Sequence, residues 1–227
     1  AFGPLPALQQ QLSEYIRHWS FTYFELKLHA AADEDSFTLT PLTEAAAEGV
    51  EADVLAHVGR LQGAARLART ALAAEPDNVR AAEALGLMAL RQNDLPGAAQ
   101  WYGKAVGADA QDFVAQFSFG EITYQLHQND LDAATAAAAA RSLQLALALR
   151  PDFAPAYDRL AVVYATRHEN LPEAESLERS AVRLEPRQLV YRFNLAWVLI
   201  ANYKPAAAVT VLQAARALAA TDAEVRE

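Results

Sequence analysis

The stretch Asn170-Leu171-Pro172-Glu173-Ala174 decides the fold, because the chain repeats its form three more times. The counterparts are Asn93-Asp94-Leu95-Pro96-Gly97-Ala98, Asn129-Asp130-Leu131-Asp132-Ala133-Ala134 and Asn202-Tyr203-Lys204-Pro205-Ala206-Ala207. Each is a polar turn that opens onto a helix start. Proline fits the first helical turn, where its missing N–H costs no hydrogen bond. Asparagine suits the left-handed residue that ends the preceding helix. Each segment therefore predicts a short loop between two helices. Further out, a second set of breaks closes the helices: Glu75-Pro76-Asp77-Asn78, Asp109-Ala110-Gln111-Asp112, Arg150-Pro151-Asp152, Glu185-Pro186-Arg187 and Ala219-Ala220-Thr221-Asp222. The steps through Pro76, Ala110, Pro151, Pro186 and Ala220 are 34, 41, 35 and 34 residues. That is the period of a helix–turn–helix repeat.

Within each period the first helix carries a large residue followed by a small one: Leu85-Gly86, Phe119-Gly120, Leu160-Ala161 and Leu195-Ala196. The small residue predicts close approach of the second helix. That helix in turn carries alanines seven apart, at Ala64 and Ala71, Ala98 and Ala105, Ala174 and Ala181, and Ala208 and Ala215. Two turns separate the members of each pair, so both face the same neighbour.

On these residues the chain resembles the tetratricopeptide repeat family, over about residues 45–220. The best unit is Tyr157…Leu160-Ala161…Tyr164…Ala174…Ala181…Pro186. The resemblance implies an all-α, right-handed superhelical solenoid of about five helix–turn–helix repeats. There are departures. The first unit has Glu51 where a leucine is expected. The third has seven extra residues, read most simply as a second helix, from about Asp132 to Leu149, longer by about one and a half turns.

Residues 1–44 form a separate acidic, aromatic segment, expected to pack on or cap the array; 45–221 form the solenoid and 222–227 a tail. Leu8, Leu12, Tyr15, Ile16 and Trp19 share one helical face. Residues 20–40 are open between a short hairpin and a helix followed by a loop. Thr40-Pro41 reads as the cap and first turn of the next helix.

The formal net charge of −9 over 227 residues argues against nucleic acid, which needs a basic stripe. Residues 1–58 hold nine acids and two bases, far more skewed than the rest. Cysteine is absent, which removes disulfides, thiol catalysis and cysteine-ligated metal. No apolar run reaches the ~20 residues of a membrane-spanning helix. Of the five histidines no two lie three or four apart, so no helical metal pair forms. Asp33-Glu34-Asp35 lacks calcium-loop spacing and reads as a solvated turn. No phosphate loop, nucleophile elbow or dinucleotide fingerprint occurs. No enzyme activity, metal or cofactor is expected. The compartment is open between cytoplasmic and, if residue 1 is a processed N-terminus, periplasmic or exported.

In the family that the chain resembles, the first helix of each repeat lines a concave groove. The residues at i, i+4 and i+7 around each large–small pair are then Glu83, Leu87, Leu90; Phe117, Glu121, Tyr124; Asp158, Val162, Ala165; and Phe193, Trp197, Ile200. Aromatics on such a face are typical binding anchors, and the competing reading is packing between repeats. The pairs four apart, Glu83/Leu87, Phe117/Glu121, Asp158/Val162 and Phe193/Trp197, carry no base. Capture of a free carboxylate, a use known in the family, is therefore not expected. The first expectation is an interaction scaffold holding an apolar or amphipathic peptide or helix in the groove. Glu83, Glu121 and Asp158 would favour basic residues between its anchors. The alternative is a self-assembling or complex-assembly subunit that uses its end faces, with Val209, Val211 and Leu212 of the last helix against another chain.

Overall fold

The computed structural model describes residues 41–109 and 111–224, with side chains as far as Ala220. The expectations for residues 1–40, the helix face from Leu8 to Trp19, the hairpin or helix beyond it and the capping role, lie outside the described residues. Those described form ten helices and no strand, an all-α helical repeat solenoid. Five pairs follow in order: α1 Glu44–His57 with α2 Leu61–Ala74, α3 Val79–Arg91 with α4 Leu95–Ala108, α5 Phe113–His127 with α6 Ala133–Leu149, α7 Ala154–Thr166 with α8 Leu171–Leu184, and α9 Leu189–Ala201 with α10 Pro205–Glu224.

Local chemistry sets the boundaries. Helix α1 begins at Glu44, and its cap is Thr43, whose hydroxyl oxygen accepts from the Ala46 N–H at 3.0 Å. The expected Thr40-Pro41 start is thus displaced by one turn. Asn78, Asp94, Asp112 and Asp132 cap the next first and second helices through side-chain oxygens. Asn93 takes the left-handed region at φ 58° as its turn requires, but in the last loop Tyr203 does so, not Asn202. The seven extra residues of the third unit are distributed. Helix α5 has 15 residues against 13 in α3, and α6 has 17 against 14 in α4. The loop takes the rest, so the second helix gains less than one turn.

The packing follows the small residues. A Cβ on Gly86 would lie 2.7 Å from the Tyr102 ring, and one on Gly120 2.7 Å from Leu143 Cγ. The heptad alanines are all buried, and Ala139 with Ala146 supplies the corresponding pair in the third unit. The core is accordingly a row of small clusters rather than one mass. Ala161, Ala165, Ala174 and Val198 form one between the fourth and fifth pairs. Ala89, Ala98, Tyr102 and Ile122 form another between the second and third. Each pair thus depends on its neighbours for burial. Asn78 fastens the first joint: its Oδ1 accepts from the Ala81 N–H at 3.0 Å, while its Nδ2 donates to the Ala45 carbonyl at 2.9 Å. Gly49 leaves the room this needs, since a Cβ there would lie 2.3 Å from Asn78 Oδ1.

Candidate functional site

The face selected from sequence runs along α3, α5, α7 and α9, and its character changes along the array. In α3, Glu83 is buried and its Oε2 accepts from Arg80 Nη1 at 2.8 Å. Burial, then the charge of Asp112, pushes its carboxyl up to about 8. Leu87 and Leu90 are half-buried against core clusters.

In α5, Phe117 packs into an aromatic group. It stacks with Phe113 at 6.4 Å, and Phe153 meets both edge-on at 4.9 Å. The Arg150 guanidinium lies 5.0 Å from the Phe113 ring. Glu121 is paired with Arg159 of α7. Tyr124 is only 8% exposed, with Arg159 5.1 Å from its ring and its hydroxyl 3.1 Å from Thr166 Oγ1.

In α7, Val162 and Ala165 are buried. Asp158 is buried too, accepting from Asn194 Nδ2 of α9 at 2.7 Å. Beside it lies Glu178 of α8, fully buried, its carboxyl against that of Asp158. Burial, then the negative charge of Asp158, pushes the Glu178 carboxyl up to about 10. All three acids of this face are therefore engaged or enclosed within the array, and the expectation of basic residues in a ligand loses its support.

Helix α9 is different. Phe193, Trp197 and Ile200 are 52%, 39% and 56% exposed. Val190, which the sequence reading missed, is also exposed. The four stand at i, i+3, i+7 and i+10, one continuous face. The missed residue belongs to a helix position shared with Arg80, Val114 and Pro155, three residues before the first position considered; Val114 is exposed as well. Of the ten selected residues, the structure thus leaves Phe193, Trp197 and Ile200 open together, half-buries Leu87, Leu90, Phe117 and Glu121, and buries Tyr124, Asp158 and Val162.

Among the described residues, no group of three or more acidic or histidine side chains is placed to hold a metal ion. No described helix is long and apolar enough to cross a membrane.

A row of paired helices closed by small residues defines a helical repeat protein, and comparison with known proteins says which. Residues 50–113 match the model of the tetratricopeptide repeat. Those residues carry a tetratricopeptide repeat, and the described helices beyond them repeat the same paired form. No curated protein sequence matches it significantly. A crystal structure of MamA protein is similar over 81% of this chain and 96% of that one, at 22% identity and a TM-score of 0.67. MamA from Desulfovibrio magneticus, residues 41 to the end, is similar over 80% and 98%, at 18% identity and a TM-score of 0.66. YrrB, described as a tetratricopeptide repeat protein with an unusual peptide-binding site, is similar over 75% and 84%, at 18% identity and a TM-score of 0.65. At these identities the likeness is one of fold.

Proposed function

We propose that the array is a non-enzymatic scaffold that holds an apolar or amphipathic segment of a partner protein along its concave face. The observation that carries this reading is the exposed row Val190, Phe193, Trp197 and Ile200 on α9. Contiguous exposed aromatic and branched side chains mark contact sites on soluble proteins. Aromatic residues of this kind dominate interface energetics. YrrB supports the class of ligand, since that protein is described as having a peptide-binding site. The anchors cluster at the α9 end. Toward α3 the same face offers the flanks of Leu87 and Leu90, and at α5 that of Phe117. A bound segment would make its strongest contacts with the last pair.

The test is capture of partners from the source cell, with the double variant Phe193→Ala, Trp197→Ala run in parallel. A protein retained by the native chain and lost by the variant supports the groove. Trp197→Ala alone is expected to weaken binding of that protein by more than ~1 kcal/mol, with an unchanged circular dichroism melt. Equal capture by native chain and variant would return these residues to packing.

A further inference from the structure

We propose that the array joins end to end with a second copy of itself, the α9–α10 end of one chain receiving the α1 face of the next. This goes beyond the groove reading, and it rests on comparing each helix with its counterpart one repeat away.

One end comes from stepping along the period. Asp158 and Ala165 of α7 become Phe193 and Ile200 of α9, 35 residues on; Glu178 of α8 becomes Leu212 of α10, 34 on. Asp158, Ala165 and Glu178 are buried where the fourth pair meets α9. Their counterparts Phe193, Ile200 and Leu212 are exposed, and all three are apolar. At these three positions the last pair therefore exposes apolar side chains where the pair before it is joined.

The other end supplies the complement. Met88, Ile122, Val163 and Val198 occupy one position of successive first helices, and each is buried. At the fourth joint, Val198 packs with Ala161, Ala165 and Ala174 of the preceding pair. The residue of α1 at this position is Val54, and it is exposed, as are Val50 and Val58 on the same side. Carried onto a second chain, Val54 would face the exposed Ile200, beside Ala196 and Ala208, which the last pair already buries. Val50 holds the position of Asn194 and would face Phe193, the counterpart of Asp158. The polar contact Asn194–Asp158 of the interior joint is thus replaced on both sides by apolar residues, as matching surfaces require.

Charge points the same way and disfavours pairing of two α1 ends. Helix α1 carries Glu44, Glu48, Glu51 and Asp53 without a lysine or arginine. Helices α9 and α10 with their loop carry Arg192, Lys204 and Arg216 against Asp222 and Glu224, and Lys204 is already paired with Glu175 at 2.8 Å. The acidic α1 end would repel its own copy in a two-fold pair, whereas the nearly neutral α9–α10 end would not. The contact is heterologous, so growth stays open unless the rotation closes a ring.

Sedimentation velocity of the full chain over a concentration series tests this. The expected result is a mass that rises beyond two copies and falls with added salt. Val54→Glu and Leu212→Glu each abolish the rise, because each spoils one end. Mixed together they form one-to-one pairs, since each keeps the end that the other lacks. Both positions are exposed, and circular dichroism confirms that the variants fold. A strict monomer at high concentration, association that either variant leaves intact, or monomeric variants that fail to pair on mixing would each overturn the proposal. Phe193 and Ile200 serve both readings, so the separating arms are Trp197→Ala, which should leave sedimentation unchanged, and Val54→Glu, which should leave capture of a groove partner unchanged.

Discussion

Glu178 is the residue whose cost is plainest. Its carboxyl is enclosed within the array, against the carboxyl of Asp158. Its folded value, about 10, lies above the ordinary 4.5. A group raised in this way contributes its full stability below the unfolded value and loses it as pH rises toward the folded one. Thermal melts are therefore expected to fall between pH about 4.5 and about 10 more steeply than in Glu178→Gln. That variant should be more stable at neutral pH, on the order of 1 kcal/mol or more, because a neutral amide of the same shape need not take up a proton on folding. A variant less stable than the native chain at pH 8 would contradict the assignment. None of this was legible in the sequence. Glu178 sits in an ordinary charged stretch, and its enclosure is imposed by α9, later in the chain. The same reason separates Tyr124 from Trp197. Both were selected by helix spacing, and only the neighbouring repeat decides that one is covered and the other open.

At the scale of the helix, spacing was a sound guide wherever the partner is the adjacent helix. The large–small pairs and the heptad alanines fixed α3 against α4 and α9 against α10, because such contacts depend on residues a turn or two apart. Glycines sort themselves by the same geometry. At Gly120 a Cβ would meet Leu143 Cγ at 2.7 Å and the Ala139 carbonyl at 3.0 Å. The carbonyl cannot rotate away, so Gly120→Ala should destabilise by about 1–3 kcal/mol through overpacking. At Gly107, near the end of α4, a Cβ meets nothing within 4 Å. Gly107→Ala should stabilise by about 0.5–1 kcal/mol, the ordinary helix preference of alanine. Urea titration of the two variants reads both signs in one experiment. What spacing missed was how the third unit absorbs its insertion. Residue count gives seven extra positions, and only the cap geometry at Asp132 and the length of α5 show where they went.

Over the whole array, stability is close to a sum of pair terms and joint terms. A pair with neighbours on both sides has two joints, whereas the last has one. Hydrogen exchange should therefore be slowest in α5 to α8 and faster in α9 and α10. If chains join end to end, protection of α9 and α10 should rise with protein concentration while that of α5 and α6 stays level. Exchange in α9 and α10 that is independent of concentration, in a sample shown by sedimentation to associate, would place the contact elsewhere.

Two of these joints also differ in the proton they hold. Glu83 is enclosed where α3 approaches Asp112, and Glu178 where the fourth pair meets the fifth, with folded values of about 8 and about 10. Rising alkalinity charges the first before the second. In mechanical terms the array is a chain of springs in series whose compliance is set link by link. Both links weaken together up to about pH 8, and beyond it only the link around Glu178 goes on softening, so under tension in alkali the extension would begin where the fourth pair meets the fifth.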